Sequence, residues 1–439
     1  MSRDPVRARR APGRGAWRGL AVALLLCARG VHADELRVGF GTKPLPARVG
    51  EPMGGYGGLG TRRAEGVLDP PEARALVLEQ GELRVAIVVL DVVIARPNVR
   101  DRVLETSHSL GVDLLMLVAT HTHSGPGGYL PGWLPARMTA GEYDPEMPAR
   151  LASAAIEALE RAVADLAPAR LASAVVPLHL ARNRRFADGA ADERLALLRA
   201  DFADGRAPVL LFEYGAHATL LSPGNVELSA DWPGAARAAL GDAHWRAIFV
   251  PGPLGDQEPV VELGAFASVE HEREVMKAFG QTMAKSVDAA ARALEPGADA
   301  EPKLTALERW VDTPPAQFRR FCSLWWISPF AGSSLEAFVS KRVPFQVLRA
   351  GDAELVALPA EPIAAVGAEL RAAVPSGRKR FVVAHANDWL GYVVDEPTYA
   401  RGGYEACLDL FGPGTGAWLV DSAAETLRQL DARGAGSGP

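Results

Sequence analysis

Leu114-Leu115-Met116-Leu117-Val118-Ala119 runs directly into Thr120-His121-Thr122-His123-Ser124-Gly125-Pro126-Gly127-Gly128. An unbroken apolar run that ends in a turn signal predicts a strand buried on both faces. Residues i and i+2 of an extended segment point the same way, so both imidazoles can face one site. The Gly-Pro-Gly-Gly turn lets the backbone approach a ligand closely. One imidazole of such a pair suits a metal, and the other suits substrate or water.

Runs of the same kind recur at Ala75–Leu78, Arg84–Leu90, Val209–Phe212, Ala247–Val250, Glu354–Leu358 and Phe381–Ala384. Stretches of helical period lie between or beyond them, at Pro148–Leu166, Val269–Leu294, Pro362–Ala373 and Ala423–Ala432. This alternation predicts an α/β fold, one or more mixed β-sheets flanked by helices. The segment from Glu35 to Gly60 is rich in Gly and Pro and reads as an irregular loop after one short strand.

The polar residues of interest fall past the ends of these runs, where open α/β sheets bind ligands. His217 follows Val209–Phe212, and Glu361 lies in Leu358-Pro359-Ala360-Glu361-Pro362. Taken alone, the first fits a core histidine bonded to backbone, and the second a carboxylate at a helix N-terminus. Tyr392, closing Asn387-Asp388-Trp389-Leu390-Gly391-Tyr392, fits a packed aromatic. Two imidazoles and a carboxylate together suit zinc with one position open. A zinc ion there would polarise a carbonyl and activate water, the logic of amide or ester hydrolysis. The chain has no His-Glu-x-x-His and no Gly-x-Ser-x-Gly, which removes the helical zinc-protease and serine-hydrolase readings.

Of 439 residues, 48% are hydrophobic and 23% charged, as in an ordinary globular protein. Residues 1–33 differ: seven arginines and one aspartate surround the apolar run Leu20–Leu26, and Val31-His32-Ala33 follows. Basic, then apolar, then small is the order of a secretory signal peptide, and the run is too short to span a bilayer. An uncleaved anchor is the competing reading; Leu26 directly before Cys27 speaks against a lipoprotein signal. The expectation is a secreted or periplasmic protein. Without residues 1–33, Lys and Arg fall from 47 to 40 and Asp and Glu from 53 to 52, a net charge of −12. Such a body excludes a nucleic-acid partner and offers no polybasic stripe for anionic lipid. Two cysteines remain, Cys322 and Cys407, and their pairing is open.

At these motifs the chain resembles the neutral (non-lysosomal) ceramidases. The string Thr120 to Tyr129 is the most specific match. Asn183-Arg184, Ala216-His217-Ala218-Thr219, Ser229-Ala230-Asp231, Gly255-Asp256 with Pro259, Leu358 to Glu361, and Asn387 to Tyr392 follow in the family's order. Tyr404-Glu405-Ala406 and Leu410 to Pro413 resemble the segment closing the catalytic domain, so the likeness runs from about Val38 to Asp421. The resemblance implies zinc ligands at His121, His217, Glu361 and Tyr392. It implies His123 beside the substrate carbonyl and Arg184 on the substrate side. Two positions depart from the family: Glu258 stands where it has a serine important for activity, and Arg185 replaces the serine of Asn-Arg-Ser. Glu258 is a candidate extra base, or a group that repels an anionic intermediate.

The expectation is therefore a signal peptide over 1–33, one ceramidase-like catalytic domain over 34–433 without the family's C-terminal β-sandwich, and a flexible tail over 434–439. Its activity would be zinc-dependent hydrolysis of an N-acyl amide in a small-molecule or lipid substrate, with peripheral membrane contact an option. A zinc hydrolase of another amide or ester, and a non-catalytic binding protein on the same scaffold, remain the alternatives. Tyr129, Trp133, Trp325, Trp326 and Trp389 fit an apolar mouth or plain packing.

Overall fold

The computed structural model describes residues 35–56, 62–132, 139–262, 268–295, 303–317 and 339–435, with the single residues 1 and 319. The signal-peptide segment, Trp133, Cys322, Trp325, Trp326 and the last four residues of the tail lie outside the described residues. Cys407 is disulfide-bonded.

In chain order the first half is β1 (Arg37–Pro44), β2 (Gly66–Val67), β3 (Glu72–Gln80), β4 (Leu83–Leu90), α1 (Pro97–Ser109), β5 (Leu114–Ala119), α2 (Met147–Ala164), β6 (Ala167–Pro177), β7 (Ala181–Asn183), β8 (Arg194–Phe202) and β9 (Val209–Tyr214). Then come β10 (Glu227–Leu228), α3 (Asp231–Asp242), β11 (Arg246–Pro251), β12 (Gln257–Pro259), α4 (Val269–Arg292), β13 (Leu304–Asp312), β14 (Arg342–Ala350) and β15 (Ala353–Ala357). The last elements are β16 (Glu361–Pro362), α5 (Ala364–Ala373), β17 (Lys379–Val383), β18 (Tyr392–Val393), α6 (Glu396–Arg401), α7 (Tyr404–Cys407) and α8 (Thr415–Ala435).

Eight strands form one sheet in the order β11-β9-β8-β6-β1-β3-β4-β5, and four form a second, β13-β14-β15-β17. Both are mixed. Pairs β4–β5, β9–β11 and β15–β17 are parallel, and the other pairs within these sheets are antiparallel. The sheets pack face to face. Val85, Ile87 and Val89 of β4 and Leu211 of β9 share one core with Leu348 of β14, Leu355 of β15 and Phe381 of β17.

Helices cover both outer faces. Ala86, Val88 and Leu90, the alternate residues of β4, meet α1 and α2. Phe212 and Phe249 meet α3 and α4, while Val347 and Val382 meet α5 and α8 on the other side. The layers are thus helix, sheet, sheet, helix, and strands buried on both faces must be continuously apolar. Helix α2 lies directly on β1 because that strand carries glycines: a Cβ on Gly39 would stand 2.0 Å from the Ala162 carbonyl oxygen. From Leu36 onward the chain forms one compact unit, and among the described residues no helix is long and apolar enough to cross a membrane.

The expected runs fall on β3, β4, β5, β9, β11, β15 and β17, with ends shifted by a residue or a few. The loop expected after a short first strand begins later, since β1 is eight residues long. Helices α1 and α3 and strands β6, β8, β13 and β14 were not expected. In α1 the inward residues include Arg100, which hides the apolar period.

Two buried charges test how the layers are held. Arg237 of α3 donates to both carboxylate oxygens of Asp91, at 2.8 and 2.6 Å, tying the helix to the end of β4. Removing one partner strands the other in the core, which costs about 3–5 kcal/mol. Arg237→Leu should lower unfolding free energy by that amount in urea titrations. Arg63→Ala, which breaks an exposed pair with Glu142, should change it by less than about 1 kcal/mol.

Glu213 on β9 is also buried, and its Oε1 has no partner among the described residues. Burial raises its carboxyl from 4.5 to about 8, against the lowering effect of Arg371. The folded state therefore holds this proton more tightly than the unfolded state. The stability it contributes is whole below about pH 4.5 and is lost as pH rises through about 8. Glu213→Gln should flatten that slope in thermal melts and exceed the wild type in stability at pH 9.

Candidate metal centre

The carboxyl ends of β5, β9, β15 and β17 converge between the two sheets. His121 lies two residues past β5 with a left-handed backbone, φ +64. Its Nδ1 donates to the Val93 carbonyl at 2.6 Å, which turns Nε2 inward. His217, three residues past β9, is built the same way, with Nδ1 donating to the Gln257 carbonyl at 2.9 Å. Trp232 Nε1 fixes the His217 carbonyl in turn. Glu361 opens β16, and its parallel partner across the ladder to β18 is Tyr392.

The two Nε2 atoms meet the same oxygen, Glu361 Oε1, at 3.4 Å from His121 and 3.0 Å from His217. Burial, above all, holds the His217 imidazole down to about 4, so it is neutral near pH 7. Burial alone would raise the Glu361 carboxyl, but the neighbouring imidazoles, His121 first, hold it well below the usual carboxylate range. An ionised carboxylate buried this deeply needs positive charge beside it, and a cation shared by the two Nε2 atoms and Oε1 would supply it. His121, His217 and Glu361 bring their ligand atoms within 4.8 Å of one another and are all buried. An ion bonded at about 2.0–2.1 Å in a tetrahedron separates its ligand atoms by roughly 3.4 Å, close to the spacings found here. Backbone carbonyls that orient the ligating imidazoles are the usual outer support of such a site. The donor set fits a divalent metal of zinc type.

The other expected site residues divide. His123 is adjacent, its Nε2 3.2 Å from His121 Nε2, and its Nδ1 has no partner among the described residues. Tyr56 lies edge-on to its ring, with centroids 4.8 Å apart. Gly55 permits this approach: at φ +104, a Cβ there would stand 2.4 Å from His123. Tyr392 is buried and receives a hydrogen bond from Arg184 Nη2 at 3.1 Å. Burial and the Glu361 charge push its phenol well up, so without a cation the phenol stays protonated. Arg184 also donates from Nε to Glu405 at 3.0 Å and from Nη2 to the Gly255 carbonyl at 2.8 Å. Arg185 shares Glu405 with it.

The structure does not bring Glu258 into this cluster. On β12 its neighbour Gln257 faces inward and supplies the carbonyl for His217, so alternation turns Glu258 the other way. Its half-exposed carboxylate pairs with Arg182 at 2.8 Å on the β7–β12 ladder. Conversely, His385, two residues past β17, was not singled out from the sequence, yet it stacks on His121. The signal available was its place: it follows an apolar run as His121 and His217 do. Trp389, expected at a mouth or in packing, donates Nε1–H to Glu361 Oε2 at 3.1 Å. Tyr129 is buried and bonds to backbone at Ile94, a packing role.

The chain belongs to the neutral/alkaline non-lysosomal ceramidase family, whose N-terminal domain matches residues 37–284. Among curated proteins it is similar to a neutral ceramidase of Mycobacterium tuberculosis, 24% identical, with 90% of this chain and 76% of that protein covered. Its fold is that of the neutral ceramidase crystal structure from Pseudomonas aeruginosa, with TM-score 0.77, 23% identity, and 91% and 75% of the two chains covered. A ceramidase complexed with C2 matches equally, at TM-score 0.77, 22% identity, and 91% and 76% coverage.

The convergence on Glu361 Oε1 makes a direct prediction. Purified protein should retain about one divalent ion per chain, and Glu361→Gln and His217→Ala should each retain almost none while keeping the wild-type circular dichroism. Elemental analysis after gel filtration reads this. Full retention in both variants would place the ion elsewhere.

Proposed function

We propose that this chain is a zinc-dependent amidohydrolase that cleaves the N-acyl bond of ceramide or a close relative. The observation that carries the proposal is the meeting of His121 Nε2, His217 Nε2 and Glu361 Oε1, with a further imidazole 3.2 Å away. Membership of the ceramidase family and the name of the curated relative supply the substrate class. Zinc, when bound, supplies Lewis-acid polarisation of the amide carbonyl and lowers the pKa of water.

The remaining work falls to side chains of this protein. His121, His217 and Glu361 hold the ion, with the Tyr392 phenol as fourth ligand or as donor to the developing oxyanion. His123 is the proton-transfer group. Its Nε2 faces the cluster, 3.2 Å from His121 Nε2, and is the atom that would receive a proton and pass it to the departing amine. Arg184 orients the Tyr392 hydroxyl and keeps a positive charge beside the reacting carbonyl. Buried between Tyr392 and Glu405, that guanidinium is held even more firmly charged than usual, although desolvation opposes it. Glu258, bound to Arg182, is assigned no step. The basic, apolar, small order of residues 1–33 supports reading the enzyme as an exported one.

The test offers zinc-loaded protein a fluorescent-acyl ceramide and a soluble short-chain N-acyl amine. Turnover of the ceramide is the expected result. Turnover of the soluble amide alone would favour a hydrolase of different substrates, and loaded protein inert to both would favour a binding protein. His123→Ala should keep its zinc and lose about 10²–10⁴-fold in kcat; an unchanged kcat would remove His123 from the mechanism.

A further inference from the structure

His385 is fully buried, and neither ring nitrogen has a hydrogen-bond partner among the described residues. Buried polar atoms left unmet are uncommon and costly, so such a group calls for a physical reason. Its position is fixed with care. The backbone is left-handed, at φ +53. Its N–H donates to the Ala360 carbonyl at 3.0 Å, and its carbonyl accepts from Ala119 N–H at 3.1 Å. The segments that carry Glu361 and His121 therefore hold this imidazole from both sides. The ring stacks on His121, with centroids 4.1 Å apart and planes 22° from parallel. Its Nε2 lies 3.9 Å from Glu361 Oε2, the oxygen that receives the Trp389 indole N–H.

The stack argues against His385 as a ligand of the same ion. A metal lies in the plane of an imidazole that ligates it, and nearly parallel planes this far apart do not share one ion. Nor does His385 join the group of ligand atoms that lie within 4.8 Å of one another. What it faces is the outer oxygen of the ligating carboxylate.

We infer that His385 is a positioning residue of the metal centre, donating its Nε2–H to Glu361 Oε2 alongside the Trp389 indole. This rests on the metal reading of the site given above. At 3.9 Å the pair stands about 1 Å beyond a hydrogen bond, and under this assignment the two close as Oε1 is drawn to the ion. A carboxylate with a free outer oxygen can swing to bind through both oxygens and fill the position that substrate needs. Two N–H donors on Oε2 hold it away from the ion and leave Oε1 alone to ligate.

The test separates the N–H from the ring. His385→Phe keeps a stacking ring without a donor, and His385→Gln keeps a donor without the ring. The zinc dissociation constant is measured by chelator competition, and the visible spectrum is recorded after cobalt substitution. His385→Phe should bind zinc about 10–100-fold more weakly, the usual loss on removing an outer-sphere partner. Its cobalt absorbance should fall as coordination number rises, while His385→Gln stays close to wild type in both readouts. His385→Leu, smaller and equally without an N–H, carries the comparison if the Phe variant does not fold. Wild-type affinity and spectrum in the donor-free variant, or equal weakening in His385→Gln, would overturn the assignment while leaving the metal centre standing. Wild-type protein that binds neither zinc nor cobalt would overturn the metal reading and this inference together.

Discussion

Asn387 joins the two sheets, and the metal centre depends on that junction. Strand β5 is the outer strand of the large sheet, and its outward backbone groups would be open. The Asn387 N–H donates to the Leu117 carbonyl at 2.6 Å, and its side-chain oxygen accepts from Leu117 N–H at 3.0 Å. Its amide donates to Gln346 Oε1 on β14 at 2.8 Å, and Gln346 returns a bond to the Leu115 carbonyl at 2.9 Å. A single side chain with two acceptor sites and two donors thus closes an edge and bridges to the second sheet. His121 comes from the large sheet and Glu361 from the small one, so any slip at this seam would part the ligands.

Three of the five left-handed residues other than glycine among the described residues lie at the same place. His121, His385 and Asn387 all have left-handed backbones, which cost of order 1–3 kcal/mol each for residues other than glycine. Each is overdetermined by backbone bonds to a neighbouring segment: His121 N–H to Val92, His385 N–H to Ala360, Asn387 N–H to Leu117. The left-handed turns direct side chains inward from strand ends that would otherwise continue past the site. The His121 and His217 rings are each set by a backbone carbonyl, at Val93 and Gln257.

Much of the frame was legible because double burial leaves a plain mark. Strands β4, β5, β9 and β11 are apolar on both faces, and such runs need no period to be seen. Strand β13 escaped because its outer residues, Glu308 and Trp310 among them, are polar or half-covered, and β14 because Pro344 interrupts it. Helix α1 buries Arg100 against Asn387 and Glu308, a charge that only the folded partner set accounts for. At the site, His121, His217 and Glu361 were readable as strand-end residues of ligand type. Tyr392 was reachable only through resemblance, since its pairing with Glu361 is a long-range register that no local pattern encodes. Glu258 lies on the Arg182 side of its ladder because one residue of strand phase decides which side a carboxylate faces. His385 was passed over because a lone histidine in sequence does not show that its nitrogens are unmet.

The centre also has two unlike sides, and this asymmetry bears on how substrate must approach. Behind the carboxylate lie His385 and Trp389, at 0% and 8% exposure, packed under the seam made by Asn387. In front lie His123, Arg184 and Tyr392, with Tyr404 half-exposed beyond and its ring 5.6 Å from that of Tyr392. Arg184 and Arg185 share the carboxylate of Glu405, so two guanidiniums stand on this side of the cluster. A guanidinium held beside a buried carboxylate is a charged donor aimed at whatever oxygen enters from that side. The covered rear and the open front thus leave one side of the cluster for a substrate to approach.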